Sequence, residues 1–261
     1  MNVLFIGDIF GKKGRLAISE LLPKLKNKYH IDLTIANAEN TTHGRSLSVK
    51  HFNALQTSGI DYFTFGNHTW HLDEIKTILS YPNTVRPLNL VTSCPYANWG
   101  QGSITFKFKN LNIRLTNLLG SSVECKEIQT NPFLTFNELL KNDNSHIHIV
   151  DFHCETTSEK NAFFLTFAGK VSAIVCTHTH VQTADERIYK NTAYISDVGM
   201  TGGSLGVIGA EAQSILDVFN GRTSKFRLSP SNTPYQFNGV VISFNKNNHP
   251  TKIKRIFINE K

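Results

Sequence analysis

Five short apolar runs in this chain each stop at a polar cluster that carries oxygen or nitrogen donors. Amphipathic stretches with apolar residues at helical spacing follow the first three runs, and this alternation of strand and helix is typical of a mostly parallel sheet. Parallel strands present their carboxyl ends along one edge, where α/β proteins bind ligands. We therefore expect the clusters to meet there: Asp8 after 3–6, Glu39 and Asn40 after 33–36, Asn67 and His68 after 60–65, His153 after 146–150, and His178 with His180 after 171–176.

The middle and the end of the chain add hairpins to this parallel pattern. Residues 103–108 and 111–118 alternate in polarity around a short turn, and 187–195 resembles a second hairpin. The pattern predicts an α/β fold of two packed sheets with helices on both outer faces. It also predicts a helix at 71–79 and a glycine-dense loop at 199–209.

The composition indicates a globular protein with a basic surface. Hydrophobic residues make up 40% of the 261 residues and charged residues 18%, so the chain can bury a substantial core. The net charge of +7 favours anionic ligands. Because the Lys and Arg residues are spread along the chain, RNA is an alternative partner and not a required one. No linker or repeat interrupts the sequence, and we expect a single domain over 1–261.

Four widely spaced cysteines predict free thiols in a reducing compartment. The absence of a Cys-x-x-Cys pair argues against a zinc knuckle and a compact disulfide framework. Residues 1–10 are apolar but contain Asp8 and lack a basic region, so they predict a buried strand and not a signal peptide. No apolar run approaches the ~20 residues that cross a bilayer. We therefore expect a cytoplasmic protein that does not enter a membrane.

Asn67 and His68 follow a strand and a glycine directly. Adjacent side chains point in different directions, so these two residues should have different tasks. We interpret Asn67 as a metal ligand through its amide oxygen and His68 as a proton donor to a leaving group. The alternative for this stretch alone is a turn in which Asn67 caps the next helix. The donors at the other strand ends favour the metal interpretation.

The His-x-His pair of His178 and His180 favours two metal ions over one. On an extended chain such residues point to the same side about 6.6 Å apart, which is too far for both to bind one compact ion easily. The spacing suits two ions that lie ~3.5–4 Å apart, with one histidine on each. Two ions need a bridging ligand, for which Glu39 is the candidate. Considered alone, the two histidines could instead be a surface or hydrogen-bonded pair. Asp8 alone could instead be a turn or cap residue. Five coincident strand ends favour the metal centre.

The donor set also indicates what such a centre would do. Carboxylate, amide and imidazole groups without a thiolate suit Mn, Fe, Zn or Mg. Two such ions polarise a phosphoryl oxygen, hold a bridging hydroxide in line with phosphorus and stabilise the leaving oxygen. A histidine such as His68 could then protonate the leaving alkoxide.

Ordered motifs run through nearly the whole chain. They are Gly7-Asp8-Ile9, Ala38-Glu39-Asn40, Gly66-Asn67-His68-Thr69-Trp70, Asp151-Phe152-His153, Thr177 to Asp185, and Asp197 to Gly202. This set resembles the calcineurin-like metallophosphoesterases, and within them the bacterial YmdB-type branch, whose members hydrolyse 2′,3′-cyclic nucleotides and other phosphodiesters. The resemblance implies their four-layer αββα sandwich, in which helices flank two mixed β-sheets.

The resemblance further implies two metal ions, each with its own set of ligands. The ions would be Fe or Mn, with Zn or Mg as alternatives. The resemblance also implies a homo-oligomer. Two positions depart from the wider superfamily and match the YmdB-type branch: Phe10 replaces the histidine of Asp-x-His, and Glu39 replaces the bridging aspartate. His68 would be the proton donor. One ion would be held by Asp8, Glu39, Asn40 and His180, and the other by Glu39, Asn67, His153 and His178.

The leading functional prediction is a dinuclear phosphodiesterase acting on small cyclic nucleotides of the 2′,3′ type. A nucleotide phosphomonoesterase is the alternative enzyme, since the same centre serves both reactions and loop shape decides between them. An RNA-binding or regulatory protein with a structural metal centre is the alternative from another class. His43, in the polar loop with Gly44 and Arg45, is a candidate phosphate contact, with a solvated loop as the favoured alternative. The stretch 199–209 is a candidate border of the site through its backbone amides, with a plain flexible turn as the alternative.

Overall fold

Two β-sheets dominate the part of the chain that the computed structural model describes, residues 1–125, 129–225 and 228–260. The strands there are β1 (Asn2–Ile6), β2 (Asp8–Ile9), β3 (Leu33–Asn37), β4 (Tyr62–Thr64), β5 (Thr84–Val85), β6 (Ser103–Phe108), β7 (Leu111–Leu119), β8 (Ile147–His153), β9 (Ala173–Thr177), β10 (Arg187–Tyr189), β11 (Thr192–Ile195), β12 (Met200–Gly203), β13 (Tyr235–Phe244) and β14 (Pro250–Asn259).

Helices connect many of these strands. They are α1 (Gly11–Tyr29), α2 (Val49–Thr57), α3 (Ile75–Ile78), α4 (Pro132–Leu140), α5 (Thr157–Phe167) and α6 (Ala212–Phe219), with a 3₁₀ helix at Thr69–His71. Local sequence explains where several of them begin. The Ser48 hydroxyl accepts a hydrogen bond from His51 N at the start of α2. Asn131 caps α4 in the same way, and Pro132 occupies its first turn.

Both sheets are mixed, and their parallel parts lie next to each other in the strand order. The first sheet has the order β2-β12-β13-β1-β3-β4-β5, with β14 also paired to β13, and the second has β10-β11-β9-β8-β7-β6. Strands β1, β3, β4 and β5 run parallel in the first sheet, as do β7, β8, β9 and β11 in the second. The predicted hairpins are confirmed as the antiparallel pairs β6–β7 and β10–β11.

Alternation along β1 explains how the first sheet is covered on both faces. Leu4 and Ile6 join a buried cluster with residues of α1 and α2. Val3 and Phe5 point the other way and join a cluster with second-sheet residues such as Ile149, because successive side chains of a strand leave opposite faces. A third cluster joins α4 and α5 to the second sheet. The result is a mixed α/β fold with two mixed sheets and helices packed on them.

Two expectations about local structure are wrong. The helix predicted over 71–79 is broken, because Leu72 is extended (φ −125°, ψ 137°) between the 3₁₀ helix and the short α3. The predicted glycine-dense loop contains strand β12, which pairs with β2 and β13. Gly14 lets α1 lie close to β12, since a methyl group added at this residue would collide with the Thr201 carbonyl oxygen. No helix of the described residues is long and apolar enough to cross a membrane.

Candidate metal centre

The residues predicted from the five strand ends lie together at the carboxyl edge of both sheets. Contacts between distant parts of the chain demonstrate it: His153 Nε2 is 3.1 Å from Glu39 Oε1, and His180 Nε2 is 3.9 Å from Asp8 Oδ1. Asp8, Glu39, Asn40 and His153 are almost completely buried. The structure thus brings together all eight predicted residues: Asp8, Glu39, Asn40, Asn67, His68, His153, His178 and His180.

One group of donor atoms surrounds Nε2 of His153. Asn67 Oδ1 lies 3.0 Å from it, Glu39 Oε1 3.1 Å and His178 Nδ1 3.0 Å. Two ligand atoms that are each ~2.1 Å from one ion, at right angles, are about 3.0 Å apart. The crowding of these four atoms therefore fits a cation held by Glu39, Asn67, His153 and His178.

A second group contains buried oxygen atoms without hydrogen-bond partners among the described residues. They are Oδ1 of Asp8 and Oδ1 of Asn40. Burial raises the pKa of Asp8, because the surrounding protein disfavours its charged form. A buried carboxylate is costly unless a partner or a metal compensates its charge. Asp8 Oδ1 is 3.9 Å from His180 Nε2, so a cation between these two atoms would compensate the buried carboxylate.

Each of the three histidines has one ring nitrogen held by a neighbour and the other facing the centre. An acceptor fixes the proton on the held nitrogen, so the facing nitrogen carries a lone pair in the neutral ring. Thr177 acts as an acceptor for His153 because its own hydroxyl donates to Asp151. The held nitrogens and their acceptors are Nδ1 of His153 with Thr177 Oγ1 (2.9 Å), Nε2 of His178 with Glu155 Oε2 (2.8 Å), and Nδ1 of His180 with the Ile208 carbonyl oxygen (2.7 Å).

Glu39 contacts the first group of donor atoms and the segment that follows β4. Burial alone would raise its pKa, but the charge and hydrogen bond of His153 lower the pKa to about 2, so the side chain is a carboxylate. One oxygen, Oε1, faces His153, and the other accepts a hydrogen bond from the His68 backbone N at 2.7 Å. The same pairing raises the pKa of His153 to about 9, against the effect of burial. The carboxylate therefore links the first group of donor atoms to the segment that carries Asn67 and His68.

Asn67 and His68 differ in orientation, as predicted. The Asn67 amide oxygen faces His153, and His68 occupies the position before the 3₁₀ helix without a side-chain capping bond. This geometry does not support the alternative in which Asn67 caps a helix. His68 lines the cavity above the centre, and its buried Nδ1 has no hydrogen-bond partner among the described residues. Burial lowers the pKa of His68, and the nearby Glu39 carboxylate counteracts this only in part.

The chain also matches a known protein family from end to end. The family described as YmdB-like protein matches residues 4–256. The chain belongs to the YmdB-like family. This confirms the resemblance that the ordered motifs predicted.

Two relatives of this YmdB-like protein carry names that refer to phosphoester chemistry. A Bacillus subtilis protein named 2′,3′-cyclic-nucleotide 2′-phosphodiesterase is 40% identical over 266 residues, which cover 100% of this chain and 98% of the relative. A Mycoplasma pneumoniae protein with the provisional name phosphatase/phosphodiesterase is 48% identical over 251 residues, covering 95% and 89%. The crystal structure of a novel phosphatase from Mycoplasma pneumoniae has a TM-score of 0.97 to this chain at 44% identity, covering 99% and 93%.

Two positive-φ residues in the YmdB-like chain supply donor atoms, and a buried ion pair holds the segment between them. His178 has φ 106° and His180 has φ 67°, backbone angles that residues other than glycine rarely adopt. The Asp197 carboxylate accepts from Thr179 N (3.0 Å) and Oγ1 (2.7 Å), and Lys160 Nζ lies 2.8 Å from it. The motif from Asp197 to Gly202 does not indicate this role in the sequence; only the contact with Thr179 reveals it.

Asp151 is a second residue whose role was not predicted from the sequence. It lies on β8 two residues before His153, and this spacing, which puts both side chains on one face, was the available signal. Its carboxylate accepts from Thr64 (2.6 Å) and Asn37 (3.1 Å) of the first sheet and from Thr177 (2.7 Å) of the second. Burial raises the pKa of Asp151 to about 6. Asp151 therefore joins the two sheets directly beneath the centre.

A cavity of about 500 Å³ opens above the donor atoms. Gly44 and Arg45 line it, as does Ile208 of the predicted 199–209 loop, whereas the exposed His43 is not among its described lining residues. The contact of this loop with His180 is made by a carbonyl oxygen and not by backbone amides. Arg45 Nε is buried without a hydrogen-bond partner among the described residues. The cavity therefore offers a cationic group beside the donor set.

Proposed function

We propose that this YmdB-like protein is a metal-dependent phosphodiesterase that hydrolyses small phosphodiesters, with 2′,3′-cyclic nucleotides as substrates. The observation that carries the proposal is the convergence of Glu39, Asn67 and His178 on His153 Nε2. That spacing, beside the unpartnered oxygen of Asp8, suits cations and leaves them open to a cavity. The name of the Bacillus subtilis relative supports the substrate class.

The proposal assigns two metal ions, Fe or Mn first and Zn or Mg as alternatives. When bound, they would supply an activated water nucleophile and positive charge at the phosphoryl oxygens. We assign one ion to Asp8, Glu39, Asn40 and His180, and the other to Glu39, Asn67, His153 and His178.

Protein side chains contribute the remaining steps. We assign the bridging position to the buried carboxylate of Glu39, which also accepts a hydrogen bond from the His68 backbone N. His68 donates a proton to the leaving oxygen, because its ring lines the cavity above the donor atoms. Arg45, whose side chain lines the cavity, binds a non-bridging phosphate oxygen through its guanidinium group.

Several broader expectations belong to the same proposal. We infer one domain over 1–261 and the four-layer αββα sandwich of the calcineurin-like enzymes. Three of the apolar clusters, one between the sheets and two under helices, support that layering. We propose a cytoplasmic location on the basis of the free cysteines. We propose a homo-oligomer on the basis of the family resemblance.

Elemental analysis of the purified protein, combined with turnover of two aryl phosphates and one cyclic nucleotide, tests the proposal. We expect bound metal and faster turnover of bis-p-nitrophenyl phosphate and 2′,3′-cyclic AMP than of p-nitrophenyl phosphate. Monoester turnover alone would favour the phosphatase alternative. Bound metal with neither turnover would favour the RNA-binding alternative.

The role of His68 is tested by His68→Ala. Loss of the proton donor should lower kcat by ~10²–10⁴ while metal content stays unchanged. Glu39→Gln is the matched contrast, because removing its charge should lower metal content and activity together. Full activity of the His68 variant would overturn the assignment of the acid.

A further inference from the structure

The cavity above the donor atoms has two chemically different sides. One side is polar and contains the candidate ligands Glu39 and His180 together with His68 and Arg45. The other side, which we call the apolar wall, continues from it without a break. The apolar wall consists of Phe10, Val207, Ile208, Ala210, Ile215, Phe219 and Leu228.

The inner part of the apolar wall is built into the core. Phe10, Ala210 and Ile215 are buried and form one cluster with Met200. The Phe10 ring meets the His180 ring edge-on, with centroids 5.5 Å apart. The apolar wall therefore begins in direct contact with a candidate ligand, and its inner surface is fixed by packing.

The outer part of the apolar wall is exposed. Phe219, the last residue of α6, is 83% exposed although it lines the cavity. Leu216 on the same helix is 45% exposed but is not among the described residues that line the cavity. An exposed aromatic ring at the mouth of a ligand cavity offers a flat apolar face that a planar ring can cover.

We propose that the apolar wall binds the nucleobase of the substrate, with the base lying against Phe219. This inference rests on the proposed function, because it needs a nucleotide whose phosphate occupies the polar side. A cavity of about 500 Å³ can hold both parts of a nucleotide. The charge at one end and the apolar surface at the other match the phosphate and the base of one molecule.

The chemistry of the apolar wall also defines its specificity. None of its seven described side chains carries a hydrogen-bond donor or acceptor. Stacking on an aromatic ring tolerates every base and increases with ring area. Purine 2′,3′-cyclic nucleotides therefore have lower KM values than pyrimidine ones, and adenine and guanine differ little.

The experiment compares 2′,3′-cyclic AMP with methyl riboside 2′,3′-cyclic phosphate, which has a methoxy group in place of the base. Phe219→Ala should raise KM for the nucleotide roughly 5- to 150-fold, with kcat unchanged, since that range corresponds to one lost base–aromatic stack. KM for the methyl riboside should not change. Leu216→Ala is the matched control on the same helix and should alter neither substrate.

Two results would overturn this inference while leaving the proposed function intact. One is an unchanged KM for the nucleotide in Phe219→Ala, and the other is an equal rise for both substrates. A preference between the two purines above about tenfold would also contradict a wall without polar groups. If the wild-type protein hydrolyses neither cyclic phosphate, the proposed function itself is wrong and the inference falls with it.

Discussion

Gly66 leaves the space in which the donor atoms of the centre meet. A methyl group built at this residue would lie 2.5 Å from Glu39 Oε2 and would also overlap the His153 ring. The glycine before Asn67 is thus required by sterics, apart from any need for a turn. A single missing side chain permits a carboxylate and an imidazole from different sheets to approach each other.

Gly66→Ala should therefore separate the ligands. We expect lower metal content and a loss of roughly 10²-fold in kcat, because displacements near 1 Å misplace reacting groups. Metal analysis and diester turnover measure both effects. Gly221→Ala is the control for metal content: the backbone there is strained for alanine (φ +70°), but a methyl group meets nothing within 4 Å and touches no donor atom. Unchanged metal content in the Gly66 variant would show that this residue does not set the spacing.

The ionisation of His153 leads to a pH-dependent prediction. With Glu39 beside it, its pKa of about 9 means that the metal-free protein carries a proton there at neutral pH. A metal binds the neutral ring, so binding must release that proton, and metal affinity should rise as pH increases toward 9. Calorimetric titration in buffers of different ionisation enthalpy should report release of about one proton from this residue. A binding enthalpy that is identical in all buffers would contradict this.

At the scale of elements, the segment after β9 depends on a buried ion pair from two other elements. Lys160 of α5 and Asp197, which follows β11, are both 1% exposed. Burial alone would lower the pKa of Lys160, but Asp197 raises it above its usual range, so the Lys160 ammonium group is charged. Through Thr179, this pair holds two histidines in backbone conformations that a free loop would leave.

Asp197→Asn should weaken both the fold and the centre. Removing one charge leaves Lys160 buried and unpaired, which costs about 3–5 kcal/mol in the free energy of unfolding. Adding Lys160→Met should recover much of this stability without restoring metal content, because Thr179 still lacks its charged acceptor. Thermal unfolding and metal analysis separate the two effects. The exposed pair of Arg255 and Glu186 offers the control Glu186→Gln, which should retain metal.

At the scale of the whole molecule, the centre lies on the seam between two sheets. Asp151 accepts hydrogen bonds from β4 and β3 of the first sheet and from β9 of the second. The bond from Thr177 also orients His153, so the contact between sheets and the orientation of a candidate ligand depend on one carboxylate. Packing of the sheets and geometry of the centre are therefore coupled.

Asp151→Asn tests this coupling. One acceptor oxygen becomes a donor that faces other donors, which should cost about 1–3 kcal/mol in the free energy of unfolding. Metal affinity should fall roughly 10- to 100-fold, as expected when the group that orients a ligand is lost. Thermal unfolding and metal titration measure the two losses. Asp32→Asn is the control. Asp32 pairs with Lys109 at the partly exposed start of β3, the end opposite the centre, so this variant should leave metal affinity unchanged.

By itself, the sequence determined the strand ends and the residue types gathered there. Apolar runs, hairpin turns and the sites of Asp8, Glu39, Asn67 and His153 depend on local patterns, and parallel strands share one carboxyl edge. Only the tertiary structure decided strand β12, the ring nitrogens that face the centre, and the roles of the missed residues Asp151 and Asp197. These depend on pairings such as Asn37 with Asp151, which are 114 positions apart, and local periodicity carries no information on contacts at that separation.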